Sequence, residues 1–480
     1  MALLKLVSGQ KPRQIAARVL QQRRVGGGFV EDLLENALHG ASLSPADRGL
    51  CQEITYGVVR WQAALDWLIA RKTGGREQKP ALQNLLRLGL YQIFWLDRIP
   101  DHAAVHETVE LAKQNGFGSQ AGFVNAVLRG YLREQDETQK LLAGLKTSQP
   151  ALGWSHPEWL VARWQKRWGI EKTATLLEWN NTPPKTFARV NTLKFGGVDG
   201  ARLWSKTQPQ HVGQTGDIGN DRAAAAGAPH TAAPQKMADA GDLLTCWRGE
   251  NVEYDFVRRD WLEENLVFEL KSHPPLNSLA SFRDGSFYLQ DPGTLLAVCR
   301  LGPQPGETIL DFCAAPGGKT TFIAQLMNNQ GRIVAQDVSE ERLKWVQENC
   351  ARLGVTCVET VLPSTLNLQP LTGFDRVLVD APCSNTGVMR RRVDLRWRIQ
   401  PEEIERLSAA QLNLLQQAVT QVKPGGILVY STCSLEPEEN QEVVKQFLGD
   451  HADFKLESER ELLPFADGVD GAYVARMNRG

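Results

Sequence analysis

Four short stretches in the C-terminal part of the chain carry residue types able to do chemistry: DFCAAPGGKT at 311–320, Asp337, DAPC at 380–383 and STCS at 431–434. The first ends in GGKTT and resembles a phosphate cradle, but the GxxxxGK[ST] spacing needs a glycine where Cys313 stands, and the stretch is not GxGxxG either. Its small residues, Ala314, Ala315, Pro316, Gly317 and Gly318, still let backbone approach a ligand closely. Asp337 ends the run GRIVAQD and is placed to hydrogen-bond the hydroxyls of a ribose. A glycine-bearing first turn followed by an acidic residue after the second strand suits an adenosine group. With no pyrophosphate cradle, S-adenosylmethionine fits better than a dinucleotide.

Cys383 and Cys433 each lie in a polar loop after an expected strand, with Asp380 close by. A thiolate is the nucleophilic form of cysteine, and its addition to C6 of cytosine gives an enamine-like ring whose C5 can attack a sulfonium methyl. The addition needs an acid or hydrogen-bond donor near N3, which a protonated carboxyl can supply. Cys51, Cys299 and Cys350 read instead as small core residues. The eight cysteines form no CxxC pair, so a zinc ribbon, a disulfide framework or any other metal site is not expected.

The elements that must position these groups follow from periodicity. From about residue 290, runs rich in β-branched residues (TILDF, GRIVAQD, VTCVET, FDRVLVDAP, GGILVYST) alternate with helical segments, as in a mostly parallel sheet flanked by helices. Ligands in such sheets bind beyond the carboxyl ends of the strands, where all four motifs fall. Residues 12–135 read as helices: Ser44 caps one, with Pro45 first, and Leu50, Ile54, Val58, Trp61, Leu65 and Leu68 recur at helical spacing. Trp164 and Trp168 lie one turn apart beside Arg163, Lys166 and Arg167 and read as core tryptophans on a helix with a solvated basic face. Fourteen of the 31 residues at 211–241 are Ala or Gly without amphipathic period, which predicts a mobile inserted loop. The net charge of −1 divides into +5 over 1–150 and −6 over 301–480. A mildly basic front permits contact with a polyanion. No run approaches the roughly 18 apolar residues of a membrane span, and a soluble cytoplasmic protein is expected.

Together DFCAAPGGKT, DAPCSNTG and STCSLEPEEN resemble the motifs of the Sun/RsmB family of RNA cytosine-5 methyltransferases. FVNAVLRG at 123–130 resembles the NusB-like domain of the bacterial 16S rRNA enzyme of that family, and ARVNTLK at 188–194 its RNA-contacting segment. The resemblance covers the chain apart from roughly 199–250. It implies a multidomain chain: an all-α NusB-like helical bundle binding RNA over 1–145; a mixed α/β linking RNA-binding region over 146–290, with a flexible Ala/Gly-rich insertion near 199–250; and a Rossmann-like α/β SAM-dependent methyltransferase domain over 291–480. It further implies that Cys433 is the nucleophile, that Cys383 assists release of the methylated RNA, and that Asp380 and Lys319 meet the target base. Cys313 to Lys319 would line the cofactor site, with Asp337 on the ribose and Asp380 beside cofactor and base.

RNA contacts are expected at Arg189, Asn191 and Lys194, and at Arg390, Arg391 and Arg392 in the arginine-rich run after the Pro-Cys loop. Three departures from the family pattern stand out. No Asp follows Glu359, where members carry an acid near the adenine; RRRVD at 390–394 replaces RR-His-Pro-Asp or RR-Asn-Pro-Asp; and the Ala/Gly-rich insertion is extra. The expected reaction is methylation of cytosine C5 in 16S rRNA by a monomer. The rivals are the same chemistry on tRNA or another rRNA position, and a non-catalytic RNA-binding or assembly factor. Retention of Cys433, Cys383, Asp380 and Lys319 together argues against the last.

Overall fold

Pro12, Pro45 and Pro80 each open a helix at its first turn, where the missing N–H has no intrahelical partner to lose. Ser44 caps the second of these, its Oγ accepting from the Asp47 amide at 3.1 Å. The computed structural model describes residues 11–195, 240–366 and 373–480, which divide into two units. One holds the chain to Pro184 together with Ser384–Ile404 and Leu463–Gly468; the other holds Lys185–Cys383, Glu405–Leu462 and Val469–Gly480.

The first unit is helical. Ile54, Val58, Leu65, Leu68, Leu82, Leu86, Leu90, Val127 and Tyr131 are buried in one core, as their spacing predicts. The run expected as one helix from Pro45 through Leu68 is two, Pro45–Arg60 and Gln62–Thr73, meeting at Trp61. Trp164 is buried and Trp168 half-buried, their rings 6.4 Å apart, in keeping with a structural role. The helices Glu158–Trp168 and Ile170–Asn181 belong to this unit, whose first segment ends at Pro184.

The second unit contains two sheets. Strands β1 (Thr186–Val190), β2 (Glu253–Phe256), β3 (Val267–Ser272) and β4 (Phe287–Leu289) form an antiparallel sheet in the order β2-β3-β1-β4. The helix Ala240–Gly249 buries Leu243 and Trp247 in the core of that sheet. The end of the expected 199–250 insertion is therefore ordered helix, whereas 196–239, including nearly all of the Ala/Gly-rich run, lies outside the described residues.

The larger sheet runs β10-β11-β9-β8-β5-β6-β7, with β5 (Thr308–Asp311), β6 (Arg332–Gln336), β7 (Val358–Val361), β8 (Phe374–Asp380) and β9 (Val422–Thr432) parallel to one another. Strands β10 (Phe454–Leu462) and β11 (Ala472–Arg479) add an antiparallel edge. The adjacency β6-β5-β8-β9 puts four consecutive carboxyl ends side by side.

Candidate active site

Each of those four strand ends delivers a polar group. β5 ends in Asp311, β6 is followed by Asp337, β8 ends in Asp380, and β9 ends in Ser431 and Thr432 just before Cys433. Register fixes the pairing: Asp380 lies opposite Ser431, and the Ser431 Oγ donates to Asp380 Oδ1 at 2.7 Å. The other oxygen, Asp380 Oδ2, is 2.5 Å from Lys319 Nζ. Lys319 comes from the first turn of the helix Gly318–Leu326, which starts directly after the glycine loop. Burial works against its charge, but Asp380, Cys433 and Asp311 together raise its pKa, so the ammonium stays protonated.

The loop between β5 and that helix is held by backbone. The Ala314 amide donates to the Gln336 carbonyl at 2.9 Å and the Ala315 amide to Asp337 Oδ2 at 3.2 Å. Gly317 has φ of 98°, and a Cβ there would stand 3.2 Å from Val346 Cα, so the turn requires glycine. Asp337 is buried and its Oδ1 accepts from the Ser339 amide at 3.1 Å; Arg342 lies 3.4 Å away. Val338, next in the chain, is 80% exposed and puts an apolar surface beside the Asp337 carboxylate. After β7 the described residues continue Leu362-Pro363-Ser364, without an acidic side chain.

The two crevice thiols meet. Cys383 Sγ and Cys433 Sγ are 3.3 Å apart, and the Cys433 amide also points at Cys383 Sγ at 3.3 Å. Cys383 is buried and Cys433 half-buried. Burial, together with Asp380, Asp311 and Asp337, pushes the Cys313 thiol alkaline. Cys51, Cys299 and Cys350 are likewise pushed up by burial, to between about 11 and about 12. Among the described residues no group of three His, Cys, Asp or Glu side chains is arranged to hold a metal ion, and no helix is long and apolar enough to cross a membrane.

One group in the crevice was not singled out from sequence. Asp311 is fully buried; its Oδ2 accepts from Thr320 Oγ1 at 2.7 Å, while Oδ1 has no hydrogen-bond donor. Burial raises its pKa to about 7, partly opposed by the Thr320 hydrogen bond. A buried carboxylate oxygen lacking a donor fits a ligand that brings its own cation, such as the ammonium of an amino acid. Its position at the end of the first parallel strand was the available signal.

The residues expected to contact RNA divide by burial. Arg189 is fully buried in the second unit: it donates to Gln290, to the Gly318 carbonyl at 2.8 Å and to Thr321 Oγ1 at 3.0 Å, and it stacks near Tyr288 and Phe322. Burial without a carboxylate partner lowers its pKa to about 9. Asn191 is buried too, donating to the carbonyls of Gly285 and Leu353, both at 2.8 Å. These two side chains tie the smaller sheet to the elements of the larger one. Lys194 is exposed.

In the first unit Arg390 is buried with its guanidinium 3.9 Å from the Trp179 ring centre, Arg391 is half-buried and Arg392 is exposed. The rest of that run is a strap within the helical unit. Arg396 Nη1 reaches Asn181 Oδ1 at 2.7 Å and its Nη2 the Asn180 carbonyl at 2.9 Å. Buried Asp394 accepts from Arg23 at 2.6 Å and Arg398 at 2.9 Å, and Trp397 donates to the Val59 carbonyl at 2.7 Å.

A mostly parallel sheet bearing a small-residue loop and acidic strand ends at its carboxyl edge defines the class: a Rossmann-like methyltransferase domain, here preceded by a helical and an antiparallel-sheet region. Family models match all three regions: the NusB family at residues 10–133, an RsmF/B-like ferredoxin-like domain at 156–202, and the 16S rRNA methyltransferase RsmB/F family at 298–477. The probable ribosomal RNA small subunit methyltransferase B of Bacillus subtilis is 32% identical, covering 97% of this chain and 98% of its own. The ribosomal RNA small subunit methyltransferase B of Escherichia coli O157:H7 is 33% identical with the same coverage. Among solved structures, that of PH0851 superposes with a TM-score of 0.70 at 22% identity, covering 98% of this chain and all of its own, which shows the shared fold. A methyltransferase homolog from Pyrococcus horikoshii gives 0.52 at 28% identity, covering 69% of this chain and 97% of its own. The chain belongs to the RsmB/F family of methyltransferases.

Proposed function

We propose that this protein methylates C5 of a cytosine in 16S rRNA, using S-adenosylmethionine and a covalent bond between Cys433 and C6 of the base. The observation that carries the reading is the pair of thiols 3.3 Å apart in the crevice, beside an aspartate held by a protonated lysine. One thiol suffices to activate a pyrimidine; a second at its side suits a reaction in which the first must later be released.

The donor set fits the cofactor. Asp311 Oδ1 would take the ammonium of its methionine part, Asp337 the ribose hydroxyls, Val338 a face of the adenine, and the loop Cys313–Gly318 would approach it with backbone. Bound there, it supplies a sulfonium methyl as the electrophile. Asp380 and Lys319 orient the base: Lys319 holds its proton, and the pair offers a donor and an acceptor toward the pyrimidine edge. Cys433 adds its sulfur to C6, which places negative charge on the ring and makes C5 nucleophilic. After methylation the C5 proton is removed and the C6–S bond breaks, returning the electron pair to Cys433 sulfur. Cys383 Sγ stands next to that sulfur and assists this release. Exposed Lys194 and Arg392 are the side chains best placed by exposure to meet phosphate.

The test uses denaturing gels and nucleoside mass spectrometry on 16S rRNA and tRNA substrates. Cys383→Ala should trap a covalent complex of enzyme and methylated RNA, Cys433→Ala should give neither complex nor product, and the double variant should behave like Cys433→Ala. Trapping by Cys433→Ala alone would reverse the two roles. 5-Methylcytidine in tRNA and none in 16S rRNA would reassign the substrate.

A further inference from the structure

Three side chains from two distant segments of the chain hold the two cysteine loops. Gln411, fully buried on the helix Pro401–Val419, donates from one nitrogen both to the Pro382 carbonyl and to Glu439 Oε1, each at 3.0 Å. Pro382 is the residue before Cys383. Glu439, also fully buried, takes the Ser434 hydroxyl on its other oxygen, and Ser434 is the residue after Cys433. Next to Glu439, buried Asn440 brackets Cys433 from both sides: Thr432 Oγ1 donates to its Oδ1 at 2.6 Å, and its Nδ2 donates to the Ser434 carbonyl at 2.9 Å. The Tyr430 hydroxyl, on β9, fixes the Glu439 carbonyl at 2.6 Å. A continuous set of hydrogen bonds, buried except where Gln411 reaches Pro382, therefore runs from the backbone beside one thiol to the backbone beside the other.

We propose that Gln411, Glu439 and Asn440 are positioning residues that set the separation of the two thiols, Gln411 acting through the Cys383 loop and Asn440 through the Cys433 loop. The functional half of this inference rests on the covalent reading above; the geometric half does not. Removing Gln411's donations frees the Pro-Cys loop while leaving the Asn440 bracket intact, so release suffers more than attack. Removing Asn440 frees the Thr-Cys loop, so attack suffers first.

Two measurements on the full chain separate these halves. Without RNA, diamide converts the two thiols to a disulfide: each sulfur gives up a proton and an electron, and the N=N bond is reduced to a hydrazine. Peptide mapping then follows the Cys383–Cys433 link. Wild type should form it quickly from 3.3 Å, and Gln411→Leu and Asn440→Ala should each slow it by about tenfold, as expected when a buried hydrogen bond to a polar anchor is lost. With RNA, Gln411→Leu should accumulate the covalent complex as Cys383→Ala does, and Asn440→Ala should lower turnover without accumulating it. A general loss of structure would reduce both steps and leave no such split. Cofactor affinity within about twofold of wild type serves as the folding control, and Ser434→Ala, a smaller change in the same network, replaces any variant that fails it. Unchanged disulfide rates with a wild-type adduct level would overturn the proposal. Slowed disulfide formation with no adduct in any variant, Cys383→Ala included, would uphold the positioning and refute the covalent mechanism instead.

Discussion

Replacing Asp311 by Asn changes one buried oxygen and no volume, yet it should alter both stability and cofactor affinity in a pH-dependent way. In the folded protein burial raises this carboxyl to about 7. An unfolded aspartate titrates near 3.9, so between these values the folded state holds a proton that the unfolded state has lost. Stability therefore falls as pH rises through this window and levels off above the folded value. At about 1.4 kcal/mol per unit, wild type should lose roughly 2–3 kcal/mol between pH 5 and pH 8 from this group, and Asp311→Asn should lose none of it. Urea unfolding at the two pH values reads the difference. Cofactor binding should show the opposite trend, because only the ionised carboxylate attracts an ammonium at Oδ1. From pH 5.5 to 7.0, below the titration of a free α-amino group, wild-type affinity should rise by about tenfold while the variant stays flat and weaker. If the variant keeps the wild-type pH dependence in both measurements, Asp311 is neither the titrating group nor the ammonium partner.

Arg189→Met should weaken cofactor binding in calorimetry, since it removes a donor to the Gly318 carbonyl, and leave the salt dependence of RNA binding unchanged. Replacing Lys194 and Arg392 with alanine should leave cofactor affinity alone and lower the slope of log affinity against log salt by about one or two in filter binding. Arg396→Ala should destabilise the helical unit by about 3 kcal/mol, seen as an earlier thermal transition by tryptophan fluorescence, because it leaves several carbonyl acceptors buried without their shared donor. An unchanged transition would mean that water replaces that guanidinium without cost.

The site was largely legible because of where a parallel sheet puts its ligands. Once TILDF, GRIVAQD, FDRVLVDAP and GGILVYST are read as strands, the residues just past them must share one crevice, and Asp337, Asp380, Cys383 and Cys433 follow from strand ends alone. Asp311 escaped for a related reason: it lies in the same motif as the glycine loop, and nothing in its type tells a buried, donor-poor carboxylate from an ordinary strand end. The Gln411–Glu439 link was beyond reach, since its partners lie 28 positions apart and each looks like a surface residue of a helix or turn.

The arginine run shows why charge in a sequence does not reveal direction. Arg390, Arg392, Arg396 and Arg398 sit within nine residues and read as one basic patch. In the fold this segment makes short turns at Thr386–Val388 and Leu395–Trp397, and so aims successive side chains differently. Arg390 lies over an indole, Arg396 reaches four carbonyl oxygens, Arg398 pairs with buried Asp394, and Arg392 remains exposed. A guanidinium is the cation suited to this division, because its planar fork can satisfy several backbone acceptors at once or stack on a ring. In the other unit the backbone beside the two thiols is held by amide side chains instead: Gln411 donates to the Pro382 carbonyl just before Cys383, and Asn440 brackets Cys433 through Thr432 and Ser434. A neutral amide offers one donor and one acceptor group at a fixed spacing, which suits joining two loops without burying a charge.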